Sequence, residues 1–321
     1  MIAGKNRTGG SSLRVIRNRE SGGERVLALG TFDGVHRGHQ ALLKAGKQYA
    51  QEHSILLRAC SFDRHPLEVL KPEIAPKLLN TPLEKAVLMA RYGADELQLL
   101  PFTKEMADME PEEFLCMLCE KVGLRAVVAG WNYTFGKGGK GDAELLQKDG
   151  REHGYDVLIV PPVMTDRGEI ISSTLIRKKL QEGLMGEAET LMGHPYELHG
   201  RVTDGKHIGH QIGVPTANIR IGSRKQLPAF GVYPCRMITT EGENPAAVNI
   251  GIQPTIPSGG ITVEAHVLDG KPELYGRNVR LIPGDRIRPE RKFDSVEALT
   301  AQIREDQEVV RKWYASNAVI L

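Results

Sequence analysis

The chain has 321 residues, with 42 Lys and Arg against 40 Asp and Glu and a formal net charge of +2. Its length points to about two domains, and 40% hydrophobic with 26% charged residues is the make-up of an ordinary globular protein. Near-neutral charge without a long basic block argues against a dedicated nucleic-acid binder. No run approaches the roughly eighteen apolar residues of a membrane span, and the N-terminus lacks a signal peptide's apolar core. The expectation is a cytoplasmic protein, monomeric or weakly homo-oligomeric, with no nucleic-acid or membrane partner.

Residues 1–12 show no periodicity and read as a disordered tail. From Val26 to about Val163, strand-like runs at 26–29, 55–61, 96–100, 126–129 and 157–160 alternate with helical runs at 40–53, 82–92, 111–122 and 143–153. Apolar strands alternating with amphipathic helices imply a parallel sheet covered on both faces. Ligands bind such sheets beyond the C-terminal strand ends. Two short helices are expected at 173–182 and 187–192. The period then changes: strands at 197–202, 214–219, 231–239, 246–250, 261–268 and 278–287, separated by glycine and proline, predict an antiparallel sandwich or barrel. One amphipathic helix covers 295–317. The boundary falls near Gly183, giving domains 13–183 and 184–321. Cys116 and Cys119 form a lone C-x-x-C without a second ligand pair. A spacing of three puts both on the buried face of their helix, where free cysteine packs as a small hydrophobe.

The most informative run is 27–39, Leu-Ala-Leu-Gly-Thr-Phe-Asp-Gly-Val-His-Arg-Gly-His. An apolar strand enters a turn holding Gly30 and Gly34, and a helix starts near His36. His36 and His39, three residues apart, share one face of its first turn. Free backbone N–H groups and the positive dipole end there favour a phosphate. Imidazoles add donors for charge moving onto a phosphate oxygen. The bland alternative is that one histidine caps the helix and the other packs. Further along, Cys60-Ser-Phe-Asp-Arg-His-Pro closes the second strand, and a glycine- and lysine-rich stretch, 130–142, closes the fourth. In Ile171-Ser-Ser-Thr-Leu-Ile-Arg, Ser172 or Ser173 can cap a helix, and Arg177 would complete a second anion site.

These segments resemble the FAD synthetase module of the bacterial bifunctional riboflavin kinase/FMN adenylyltransferase family, within the superfamily that moves AMP from ATP onto a phosphate acceptor. The resemblance implies a Rossmann-like domain. It implies His36 and His39 at the ATP phosphates, with Gly30, Phe32, Asp33, Gly34, Gly38, Ser172, Ser173, Thr174 and Arg177 at the nucleotide. Phe62, His65, Asn132 and Phe135 would meet FMN, with Asn132 also near magnesium. Arg64, in the segment closing the second strand, and Tyr133 and Thr134, in the flavin loop, depart from the family's usual residues.

In the second half, glycines 205, 209 and 213 break residues 200–218 into turns able to wrap a nucleotide, and no P-loop occurs anywhere. The oxygens of Thr216 and Asn218 are hard ligands suited to magnesium on ATP, and being two apart in an extended segment they point the same way. Val263-Glu-Ala-His-Val-Leu-Asp alternates like a strand, placing Glu264, His266 and Leu268 on one face. A shielded Glu264 could take a proton from a hydroxyl; the pattern alone favours a solvent-facing carboxylate, since charged strand residues usually face water. This half is similar to riboflavin kinase throughout. The resemblance implies a six-stranded barrel with a terminal helix, Glu264 as general base, and Gly205, Lys206, Gly209, Gly213, Pro215, Thr216 and Asn218 around Mg-ATP. His210 stands where the family usually has arginine. Together the resemblances imply riboflavin, FMN and ATP as substrates, and FMN and FAD as products. Two rival readings are a riboflavin kinase with an inactive nucleotide-binding N-terminal domain, and a flavin-sensing RNA-binding regulator.

Overall fold

The computed structural model describes residues 13–16, 23–120, 123–203, 215–252, 260–269 and 273–317. The expected tail, 1–12, lies outside them. The described chain divides into two compact units between Ser173 and Thr174.

The first unit carries six strands: β1 (Arg14–Ile16), β2 (Glu24–Leu29), β3 (Leu56–Phe62), β4 (Glu96–Leu100), β5 (Gly123–Gly130) and β6 (Asp156–Val160). Its helices are α1 (Arg37–Glu52), α2 (Leu67–Leu70), α3 (Pro82–Arg91), α4 (Lys104–Ala107), α5 (Pro111–Glu120) and α6 (Ala143–His153). The strands pair in the order β1-β4-β3-β2-β5-β6, and every pairing is parallel. The sequence of β2 explains its central place. Successive side chains of a strand point to opposite faces. Val26 and Ala28 enter a buried cluster with Leu42, Leu43 and Leu57. Leu27 and Leu29 enter another with Phe114, Leu115 and Leu146. A strand buried on both faces must be apolar throughout, as this one is. From β2 the chain runs outward through β3 and β4, then returns to place β5 on β2's other side. The strand order therefore reverses between β2 and β5, and the crevice beyond their C-terminal ends is where such sheets bind ligands.

One buried charge cluster interrupts the apolar sheet. Glu96 on β4 accepts from Arg25 (3.0 Å) and Arg58 (2.8 Å). Burial pushes the Glu96 carboxyl up, but the two guanidinium groups outweigh it and hold it below the usual range.

The second unit holds β7 (Leu198–Thr203), β8 (Ala217–Ile221), β9 (Gly231–Ile238), β10 (Glu243–Ile252), β11 (Ile261–Val267) and β12 (Asn278–Pro283). They close into an antiparallel barrel ordered β10-β11-β8-β7-β12-β9, which decides between sandwich and barrel. Leu198, Val202, Ile219, Val248, Ile250, Val263 and Leu281 are among its buried residues. The unit adds α7 (Ser173–Glu182), which starts at the division, α8 (Met185–Met192) and the terminal α9 (Val296–Asn317). The end of α7 is tied to the second unit: Ala229 N donates to the Leu180 carbonyl and Arg286 N to that of Gly183. Arg288 clamps α9 through Asp306, whose Oδ2 it reaches at 2.8 Å.

Two expectations are corrected. Cys116 is exposed and Cys119 only half-buried. The buried stripe of α5 is Phe114, Leu115 and Leu118, and one residue past Leu115 the helix has turned about 100° outward. The last strand stops at Pro283, because Arg286 N leaves the ladder for Gly183 and pairing resumes only at Val232 and Arg288. Among the described residues no helix is long and apolar enough to cross a membrane.

Candidate functional site

In the first unit the turn after β2 is under backbone strain. Phe32 has φ 50°, Gly34 86° and Val35 37°. A positive φ is rare for any side chain and an outlier for a β-branched one. Glycine suits position 34, where φ is 86° and a Cβ would also press to 2.8 Å from Leu79 Cδ1. Such strain costs about 1–3 kcal/mol per residue and persists only where the surroundings over-determine it. Here they do. Phe32 and Val35 are fully buried. The buried Asp33 carboxylate accepts from Leu79 N (2.9 Å) and Asn80 N (3.3 Å). Ser173 Oγ donates to the Asp33 carbonyl (2.8 Å), Gln40 Nε2 to that of Val35 (2.8 Å) and Lys85 Nζ to that of Thr31 (2.7 Å).

The turn delivers the histidines. His36 is the N-cap of α1, its Nδ1 accepting from His39 N at 3.4 Å. The two rings stack with centroids 3.7 Å apart. An accepting Nδ1 leaves the proton of neutral His36 on Nε2. His39 Nδ1 is buried without a hydrogen-bond partner. Burial first, then the neighbouring His36 and Lys85, hold its pKa well below the usual imidazole range. A neutral His39 can offer a hydrogen bond but not a positive charge. The first turn of α1 carries no acidic residue, so its dipole end stays open to an anion.

A cavity opens beside this turn, lined among others by Thr31, Asp33, Phe62, His65, Asn80 and Lys85. Phe62 and His65 thus line one cavity with Asn80 and Lys85. Asn132 is exposed at the end of β5, while Phe135 is buried in the core against Phe114 and Tyr133. Tyr133 is half-buried beside Phe135 and Thr134 is exposed, so the departure at Tyr133 is taken up in packing. Gly30 follows β2, its N–H donating to the Cys60 carbonyl, and Gly38 lies with the His36 ring and the Ile171 carbonyl 3.1 and 3.7 Å from a Cβ position. Ser172 and Ser173 are half-buried, and Ser173 joins the turn directly. Thr174 and Arg177 follow in α7, exposed and half-buried, beyond the division. Sequence reasoning passed over Asn80 and Lys85. Asn80 carries no motif, and Lys85 in Thr-Pro-Leu-Glu-Lys reads as a solvent-facing helix residue.

In the second unit the register builds the site. Ala217 and Ile219 of β8 are buried, which turns Thr216 and Asn218 to the other face, half-buried. Glu264 on β11 lies opposite Asn218 on β8 and Asn249 on β10. This carboxylate is half-buried, and burial followed by the charge of Glu290 raises its pKa. Glu290 accepts from Asn249 Nδ2 (3.1 Å), and a Cβ on Gly251 would collide with it. His266 Nδ1 lies 2.9 Å from the Pro215 carbonyl, which can only accept, so that nitrogen carries the proton. Its Nε2 then accepts from Gln307 Nε2 of α9 (3.0 Å). Pro215, next to Thr216, is thereby linked through His266 to α9. Gly205, Lys206, Gly209, His210 and Gly213 lie outside the described residues.

The donors suit one kind of metal binding. Among the described residues no group of three or more His, Cys, Asp or Glu could hold an ion. A hydroxyl and an amide oxygen are hard but neutral ligands. They fit a magnesium ion that keeps several waters and arrives on nucleotide phosphates.

The family model for FAD synthetase matches residues 18–175 and that for riboflavin kinase 192–314. Neither claims 176–191, the stretch holding Gly183. A bifunctional riboflavin kinase/FMN adenylyltransferase of Escherichia coli K12 is 34% identical over 90% of this chain and 92% of its own length. One from Listeria monocytogenes is 36% identical over 91% of this chain and 93% of its own. A crystal structure described as a macrolide-efflux protein from Streptococcus pneumoniae superposes with a TM-score of 0.86 at 32% identity, covering 94% of this chain and all of that one.

Proposed function

The chain belongs to the bifunctional riboflavin kinase/FMN adenylyltransferase family, and from that premise we propose that its two units divide the two activities. The barrel unit phosphorylates riboflavin with Mg-ATP, and the sheet unit joins AMP to the FMN so formed, giving FAD and pyrophosphate. The observation that carries the second assignment is the strained turn, which sets two stacked imidazoles on an uncompensated helix N-terminus at the sheet's switch point.

In the barrel, Glu264 accepts the proton of the ribityl hydroxyl as that oxygen attacks the γ-phosphorus. A raised pKa makes it the stronger base. Thr216 and Asn218 hold the metal, which when bound neutralises phosphate charge. Catalysis there is mostly positioning, and the His266–Pro215 contact supports it by holding Pro215 beside Thr216. In the sheet unit, an FMN phosphate oxygen attacks the α-phosphorus of ATP. His36 and His39 donate hydrogen bonds to the oxygens that gain charge as pyrophosphate leaves. Asn132 at the end of β5 is assigned to FMN, and Ser172, Ser173, Thr174 and Arg177 to the nucleotide.

Two variants test the division. Glu264→Gln should lose about 100- to 10,000-fold in FMN formation and still convert supplied FMN to FAD. His39→Ala should do the reverse. Parallel loss of both activities in either variant would contradict it.

A further inference from the structure

Lys85 braces the histidine turn but has no role in the proposed chemistry. It sits in the first turn of α3, whose N-cap is Thr81. Its ammonium turns into the C-terminal edge of the sheet. Nζ donates to the Thr31 carbonyl (2.7 Å) and to Ser61 Oγ (3.2 Å). The side chain lines the same cavity as Phe62, His65 and Asn80. An ammonium has three N–H donors, and these two acceptors take two. Asn80 Oδ1, buried beside the same cavity, has no hydrogen-bond partner either. Burial pulls the Lys85 pKa below the usual lysine range, while the charge of Asp33 opposes the shift. Lys85 is half-buried at the cavity wall, and its third N–H suits an anion entering there.

The sheet unit's reaction supplies such an anion. An oxygen of the acceptor phosphate bonds to the α-phosphorus of ATP. The bond from that phosphorus to the bridging oxygen of the pyrophosphate breaks, and pyrophosphate leaves with the electron pair. Two phosphate anions must therefore meet, and their repulsion is strong away from bulk water. His39 is held neutral and His36 is engaged in capping α1. Arg64 is exposed and paired with Asp63 at 3.3 Å. Lys85 shares a wall with Phe62 and His65, yet is near enough to His39 to lower its pKa. That places it between the flavin wall and the histidine pair. Resting on the adenylyltransferase reading, we propose that the Lys85 ammonium binds the phosphate of the flavin mononucleotide acceptor and neutralises it for attack.

The test uses the full chain, with FAD formation from FMN and ATP followed by chromatography and riboflavin phosphorylation as the control for folding. Lys85→Met should lower kcat/KM for FMN by about 100-fold or more, leaving KM for ATP and riboflavin phosphorylation unchanged. Lys85→Arg, which keeps the cation, should recover part of that loss. Ser61→Ala cuts one of the lysine's bonds but keeps its charge, and should leave the FMN kinetics close to wild type. Unimpaired FAD synthesis by Lys85→Met would overturn the proposal. So would a KM for ATP rising in step with that for FMN, or an equal loss in Ser61→Ala; either would make Lys85 a staple of the turn. A wild-type protein that forms no FAD would overturn the adenylyltransferase reading itself, whereas wild-type activity with an unimpaired Lys85→Met defeats this proposal alone.

Discussion

His36 has two jobs that a pair of substitutions can separate. Its Nδ1 caps α1, and its ring stacks on His39. Losing an N-cap typically costs about 1 kcal/mol, and at 3.4 Å this cap bond is long, so the lower half of the usual range applies. Losing a stacked ring pair costs about 0.5–1.5 kcal/mol more. His36→Ala should therefore destabilise the sheet unit by about 2 kcal/mol, or roughly 4–8 °C in Tm for a unit of this size. His36→Asn restores a good capping side chain and should recover about half of that. Neither replacement supplies the Nε2–H donor, so both should cut FAD synthesis from FMN about 100- to 1,000-fold. Thermal unfolding measured alongside separate assays of FMN and FAD formation checks each part. If His36→Asn makes FAD at the wild-type rate while His36→Ala does not, His36 only caps the helix and the phosphate role assigned to it is refuted.

Three further outcomes follow from the geometry. Thr216→Ala should raise the magnesium concentration needed for half-maximal FMN formation while the rate at saturating magnesium largely survives, since it removes a ligand and not the base; a magnesium titration of riboflavin phosphorylation shows this. Arg58→Met leaves Glu96 buried with one close partner fewer and should cost about 3–5 kcal/mol in denaturant unfolding. Because the folded pKa of Glu96 is depressed, the stability it lends is present above its unfolded value of about 4.3 and is lost as pH falls through the folded value, so the gap between wild type and Arg58→Met should narrow in acid. Gly34→Ala must force a side chain into φ 86° against Leu79; a loss of about 1–3 kcal/mol together with FAD synthesis, and FMN formation retained, is the expected result.

Much of this architecture is written in hydrophobic period. β4 falls at Glu96–Leu100 and α6 at Ala143–His153, at the expected bounds, because Gly, Pro and Asp punctuate both sides and the buried faces recur regularly. What escaped was held by tertiary contact. β1 is three residues long, too short for a period to register, and exists through pairing with β4. α2 and α4 are single turns. The site divides likewise. The histidine turn is legible because glycine spacing and residue type both depart from ordinary strand-to-helix connections. Lys85 is not, because a lysine on a helix carries the same letter whether it meets water or a cavity. Cys116 misled for a related reason: a spacing of three fixes which residues share a face, not which face is buried.

On the proposed division, one chain makes FMN and then consumes it. The direct measurement is a time course in which the purified protein receives riboflavin, ATP and magnesium, and flavins are resolved at intervals. FMN should rise first, FAD should follow after a lag, and one pyrophosphate should appear per FAD. FMN accumulating to completion with no FAD, even when ATP is in excess, would contradict it.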